Sequence, residues 1–413
     1  MEKSRFKKLI SSKKFVIIAS FVGLFLISVG VSLTVFYYVF PQDASTLLSK
    51  ISNKTKINLN LPKTEECPIN GAMFTKAESA VWSSRRPITA MIENHVDARP
   101  ESGLSRADVI YEAVAEGGIT RFMSVFYCGA SAEDVLVAPI RSARVYFINL
   151  AAGYGKDPIF LHQGGANNIC STCPGGVKPK SQIDPTVNTV TLLEKLGWAG
   201  GPDGNNLDGG YNIGYPIVAR NQYRLDPNNA SAWEHAVVAD LNEVWKEAAK
   251  RDYNYKDSSG TPWTEGFRKW LFQDGKASTT PTASDIKFNF WDSMPGYNVE
   301  WKYDSATNTY KRFNGGTAHI DWEFDKPQLS ASNVAIMFVT EKGPVDTELH
   351  MFYQDIGSGK ALVFQNGEVI QGTWKKASAL DREVFYDTNG KEIQMVRGQT
   401  WVELVPAKNN VSY

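Results

Sequence analysis

Histidine and cysteine are both scarce in this 413-residue chain, which has five of the first and four of the second. Five histidines with no HExxH pair among them argue against a histidine-built metal centre, and no metal is expected. The sequence also lacks a GxSxG elbow, a Walker loop and a GxGxxG that follows a strand and opens a helix. Its nearest approach, Gly357-Ser358-Gly359-Lys360, has neither the upstream glycine nor the following Ser or Thr. These absences remove the familiar signatures of zinc peptidases, α/β hydrolases, nucleotide hydrolases and dinucleotide enzymes, and no cofactor is expected. Net charge is absent too, with 44 basic and 44 acidic residues, but the distribution is uneven. Residues 67–413 carry 34 basic and 40 acidic side chains. That is the wrong balance for a phosphate backbone, so nucleic acid is not an expected partner.

Charge is missing altogether from residue 15 to residue 42, and residues 15–40 are almost wholly apolar. The run exceeds the roughly 20 residues that cross a hydrocarbon core and is too long for a cleavable signal. Tyr37, Tyr38, Phe40 and Pro41 close it with an aromatic belt and a helix stop. Lys3, Arg5, Lys7, Lys8, Lys13 and Lys14 precede it and hold residues 1–14 in the cytoplasm. The expectation is a single transmembrane helix over 15–40, seated in the lipid bilayer, with everything after it extracytoplasmic. Residues 41–78 read as a polar stalk.

The four cysteines, Cys67, Cys128, Cys170 and Cys173, all lie beyond the membrane run, where an even number favours disulfides. Cys67 follows the stalk and Cys128 ends a strand-like run, so their pairing would pin the start of the domain to its sheet. Cys170 and Cys173 read as a local disulfide, half of a zinc site or a redox pair. Pro174-Gly175-Gly176 behind them opposes the helix that a redox pair needs.

With 43% hydrophobic residues the exported part can bury a sizeable core. Residues 79–284 read as an N-terminal subdomain of mixed-sheet α/β layers. Strands are expected at 87–93, 108–116, 119–127 and 159–162, with helices at 141–152 and 192–196. A capping box at Ser231 and Glu234 predicts a long helix over 231–251, with an apolar stripe of Trp233, Val237, Leu241, Val244 and Ala248. Another helix is expected at 264–272. The loop 200–210 offers Asp203, Asn205 and Asp208, but Leu207 breaks the calcium-loop spacing. Residues 285–406 read as a β-rich C-terminal subdomain, with hairpin turns at Asn366-Gly367 and Asn389-Gly390. The fold class is α+β.

The Gly117-Gly118 turn pairs positions that sum to 235, which places Asp108, Glu112, Glu116, Arg121 and Met123 on one face of the hairpin. That face is either solvated and laced with ordinary ion pairs or the floor of a polar cleft. A second cluster comes from element ends: Glu93 and His95 after the first strand, His162 after the last, and Arg141 and Arg144 opening a helix. Spacing of i and i+3 would put both guanidinium groups on one helix face, suited to a carboxylate or phosphate. The plainer reading gives each arginine a local carboxylate partner and each histidine a structural hydrogen bond.

Three segments resemble the N-terminal part of the YerB-like family: MIENHVDARPESGLSRADVIYEAVAEGGITRF (91–122), PIRSARVYFINLAA (139–152) and FLHQGGA (160–166). GKALVFQNGEVIQGTWKK (359–376) and GQTWVELVP (398–406) resemble its C-terminal part. The resemblance covers about residues 80–406 and implies an α+β fold of two subdomains in a bacterial envelope protein, usually a lipoprotein. It transfers no catalytic residue. Here a transmembrane run stands in place of the lipoprotein cysteine, and SAWEHAVVADL (231–241) replaces a histidine-asparagine stretch.

The reading that joins these observations is a membrane-anchored extracytoplasmic accessory protein that binds a wall polymer or a wall-synthesis partner. The rival is an envelope glycan hydrolase or transferase, with Glu93, Glu112 or Glu116 as acid or base and Arg141 as anion clamp. Topology is directly testable. Protease added to intact cells stripped of outer wall should digest the exported part, and protection of Trp401 and its neighbours would refute the orientation.

Overall fold

The computed structural model describes residues 60–167, 183–198 and 204–413. They belong to the compact unit Lys56–Tyr413. Its centre is built from β1 (Ile88–Glu93), β2 (Val109–Glu116) and β3 (Ile119–Phe126), three runs of β-branched and aromatic residues in spatial order β2-β3-β1. Gly117 and Gly118 make the tight turn between β2 and β3 with φ of 54° and 84°, a region that glycine enters without strain. β4 (Ile159–His162) and β5 (Asn206–Asp208) extend the sheet in parallel from β1. β6 (Val218–Arg220) and β7 (Val237–Asp240) pair with each other, and β7 with Leu136–Val137, in a smaller sheet.

The C-terminal half supplies two sheets. β8 (Asp285–Phe288), β9 (Val299–Asp304) and β10 (Thr309–Asn314) form an antiparallel sheet with two short outer strands. β11 (Asn333–Lys342), β12 (Gly357–Gln365), β13 (Glu368–Lys376) and β14 (Val384–Asp387) form an antiparallel run, turned between β12 and β13 at Asn366-Gly367 as expected. β15 (Thr400–Pro406) then inserts between β11 and β2, parallel to both. One sheet therefore runs β14-β13-β12-β11-β15-β2-β3-β1-β4-β5 across the two halves that the sequence separates at 284/285.

Each face of this sheet has its own cover. Helix α1 (Lys76–Trp82), opened by a Thr75/Glu78 capping box, leads into it. Helix α2 (Val145–Ala152) is buried at every residue and lies on one face, where Tyr146 donates to the Val114 carbonyl at 2.6 Å. The opposite face receives β9 and β10, whose inward residues alternate; the Trp301 ring meets the Trp401 ring edge-on at 5.2 Å. α3 (Thr189–Lys195) and α4 (Leu241–Lys250) complete the layers around α2 and β7.

Several expectations are corrected. The stalk does not extend to residue 78: Lys63–Glu66 pairs with Met73–Thr75, and Cys67, bonded to Cys128, is buried. The long helix over 231–251 starts only at Leu241, because 237–240 pairs as β7 and Asp240, not Ser231, caps the first turn. Trp233 leaves the stripe and stands 60% exposed. No helix forms at 264–272, where Gly266 takes a φ of 74° and breaks the turn. The sequence pattern does not predict β10, because its inward Arg312 hides the apolar alternation. The expected transmembrane helix over 15–40, the tail before it, residues 41–59 of the stalk, Cys170, Cys173 and Asp203 lie outside the described residues. Among the described residues no helix is long and apolar enough to cross a membrane.

Candidate functional site: an arginine-glutamate cluster at the end of the sheet

A single extra residue decides which side chains meet. Glu116 pairs with Ile119, but from Val114 back to Val109 the register is one residue shorter, so Ala115 is a β-bulge. Side chains before and after a bulge change faces relative to a regular strand. Glu112 and Glu116, expected together, therefore lie on opposite faces, and the shared acidic face predicted from an unbroken register is corrected.

Glu116 joins Arg121 on the α2 face. Its carboxylate bridges two guanidinium groups, Arg121 Nη2 at 2.9 Å and Arg144 Nη2. Across β3, Glu93 stands opposite Arg121 and takes Arg141 Nε at 3.0 Å and His235 Nδ1 at 2.9 Å. The His95 ring stacks on His235 with centroids 4.8 Å apart. The arginines do not sit on one helix face: Arg144 is the extended residue before α2, and Arg141 precedes it. The segment 139–141 instead pairs along β1 beyond the end of β4. The Glu93 N–H donates to the Pro139 carbonyl and the Arg141 N–H to the Met91 carbonyl, each at 2.9 Å. Extended backbone, not helical spacing, brings Arg141 to Glu93.

Three guanidinium groups thus share two carboxylates. Arg121 and Arg144 are buried and spend further donors on the Ser142 and Ala143 carbonyls, at 2.9 and 2.7 Å. Their Nε atoms are buried with no hydrogen-bond partner among the described residues. Arg141 keeps 27% of its side chain exposed and forms the open edge. Burial works against charge on Glu116, but Arg121 and Arg144 outweigh it and hold its carboxyl far below the usual range. His350, which no sequence motif marks, approaches from the loop before Phe352–Gln354, and its backbone bridges to Glu116. Burial and the Arg144 charge hold its imidazole below its ordinary value, against the opposing pull of Asp346 at 2.9 Å.

His162 lies outside this cluster. Its ring nitrogens contact the Gly164 carbonyl at 2.8 Å and Asn206 Oδ1 at 2.6 Å, which fixes the end of β4 to β5. Glu112 faces the other way. It accepts from Thr120 Oγ1 at 2.6 Å and pairs with the fully buried Arg312. Arg312 also reaches Glu403 at 2.8 Å and donates from Nε to His319 Nδ1 at 3.0 Å. That bond leaves the His319 proton on Nε2, facing Glu101 at 2.8 Å. Burial, together with the neighbouring Glu112, pushes Glu403 well above the usual carboxylate range despite Arg312. This second network is sealed in the core and is structural. His95, Asp97 and His235 also come close enough to hold a cation. However, His95 Nδ1 already accepts the Asp97 N–H at 3.2 Å, and His235 Nδ1 faces Glu93.

Comparison with known proteins places these residues in a family. Residues 74–183 match the N-terminal domain, and residues 286–402 the C-terminal domain, of the family described as protein of unknown function (DUF3048). The chain belongs to this family. YerB of Bacillus subtilis (strain 168), a protein named as a lipoprotein, is 29% identical over 349 residues, which span 83% of this chain and 87% of YerB. The crystal structure of Bacillus subtilis YerB superposes with a TM-score of 0.63 at 25% identity, covering 85% of this chain and 100% of that one. The DUF3048 N-terminal match contains Glu93, Glu116, Arg121, Arg141 and Arg144; His235 lies between the two matches, and His350 within the C-terminal one.

The arginine clamp on Glu116 has a titration signature. A carboxyl whose folded pKa is depressed adds stability above its unfolded value, and that stability is lost as pH falls through the folded value. Carboxyl carbon NMR of glutamate-labelled protein, with Glu116→Gln identifying the signal, should show Glu116 still ionised at about pH 3. In Arg144→Ala its midpoint should rise toward that of an ordinary glutamate. A normal midpoint in the unaltered protein would show that the clamp does not form.

Proposed function

We propose that this protein is a membrane-anchored, extracytoplasmic component of the bacterial envelope that binds an anionic wall polymer at the arginine-glutamate cluster. The observation that carries the reading is the count of charges in direct contact: three guanidinium groups, two of them buried, on two carboxylates. Burying cationic groups is costly unless anionic partners meet them, and the fork of Arg141 is the exposed place where a further carboxylate or phosphate can supply one. The mildly acidic exported part makes such a cationic edge stand out. The lipoprotein name of YerB and the apolar run at 15–40 support an envelope setting with the lipid bilayer as anchor. A wall-synthesis protein as partner is the outcome that would replace the polymer.

Glycan cleavage has less support. Glu112 is turned to the other face, so it cannot pair with Glu93 or Glu116 across a substrate. Glu116, held ionised by two arginines, is a poor proton donor near neutrality.

The test is calorimetric titration of the full chain with galacturonate and with inorganic phosphate. Arg141→Gln keeps a donor for Glu93 but removes the charge. It should weaken binding about tenfold or more while leaving the melting temperature within a few degrees. Unchanged binding in Arg141→Gln, or no binding by the unaltered protein, would contradict the reading.

A further inference from the structure

The turn that delivers His235 to Glu93 also carries an exposed indole. Trp233–His235 is one turn of 3-10 helix, and its two ends face different surroundings: His235 is buried on Glu93, while Trp233 stands 60% exposed. Single exposed apolar side chains are common and need no explanation. Trp233 differs in being held. The Arg220 guanidinium lies 4.5 Å from the ring centroid, and Arg220 Nη1 donates to the Trp233 carbonyl at 2.5 Å. Arg220 is anchored in turn, since it ends β6 opposite Val237, whose carbonyl takes the N–H of Ile140 at 2.9 Å. Arg141 is the next residue. The indole platform and the exposed guanidinium are therefore joined by three steps, from Trp233 to Arg220, from Arg220 to Val237, and from Val237 to Ile140 beside Arg141. Arg220 itself lies within electrostatic reach of Arg141: burial first and then the Arg141 charge lower its pKa.

A flat apolar ring beside a cationic fork matches a particular chemistry. A pyranose ring has an apolar C–H face that stacks on an indole, and an acidic substituent on that ring extends to the side. A neutral sugar would use only the indole, and a free anion only the arginine. We infer that Trp233 and Arg141 together form a site for an acidic sugar residue, its ring on the indole and its carboxylate or phosphate on the guanidinium. The inference rests on the anion-binding reading above and names the class of polymer unit that the cluster would take. Glu234, exposed and within electrostatic reach of Arg141 and His95, offers an acceptor for sugar hydroxyls.

The experiment titrates the full chain with trigalacturonate, glucose 1-phosphate, maltotriose and inorganic phosphate by calorimetry. Trigalacturonate or glucose 1-phosphate should bind about tenfold tighter than inorganic phosphate and than maltotriose, and the tighter of the two identifies the acidic group. Trp233→Ala should abolish that advantage and leave inorganic phosphate binding unchanged, and Trp233→Phe should restore most of it. If Trp233→Ala binds both acidic sugars as the unaltered protein does, while Arg141→Gln loses them, the platform is wrong and the anion site stands. Maltotriose bound as tightly as the acidic sugars would remove Arg141 from the sugar site. Failure of every probe to bind would overturn both readings.

Discussion

The guanidinium of Arg312 is the point on which the two halves of this molecule close. It projects from β10 into a fully enclosed space and touches Glu112 of β2, Glu403 of β15 and His319, with Trp301 and Trp401 around it. Such a buried network adds little net stability compared with well-packed apolar residues, because desolvation offsets the attraction. Breaking it is different: removing one partner leaves a charge unpaired in the core, at a cost of about 3–5 kcal/mol. The network therefore acts as a registry device. In the placement of the β8-β9-β10 sheet that satisfies Arg312, Asn314 also meets Asn94, next to Glu93.

The second constraint is the insertion of β15. A strand from the end of the chain pairs with β11 of its own half and with β2 of the other, parallel to both, so the strands of the two halves join in one sheet along the β15–β2 pair. The candidate site inherits this dependence. Its carboxylates and arginines come from residues 93–144, but the loop carrying His350 comes from the C-terminal half and bridges to Glu116.

Much of this was legible in the sequence. The two-glycine hairpin, the Asn366-Gly367 turn, most of the strands and the Cys67–Cys128 bond follow from local chemistry and the even number of cysteines. The bulge at Ala115 was not legible, because one additional residue leaves no mark on composition and yet moves Glu112 to the other face. Arg141 and Glu93 do meet, but through extended pairing at the end of β1, where the sequence pattern pointed to a helix. The strand β7 overrode the capping signal at Ser231 because a partner strand was waiting in β6. Arg312 hid its own strand, since a buried charge reads as a surface residue until its partners, about 90 and 200 positions away, are known.

The shared sheet and the Arg312 network make the two family halves one cooperative body. Scanning calorimetry of the full chain tests it directly. A shared sheet and a shared buried network predict one unfolding transition whose calorimetric and van 't Hoff enthalpies agree, and in Arg312→Met that transition should shift as a whole. Two resolved transitions, with Arg312→Met moving only the one that belongs to residues 285–406, would contradict the account.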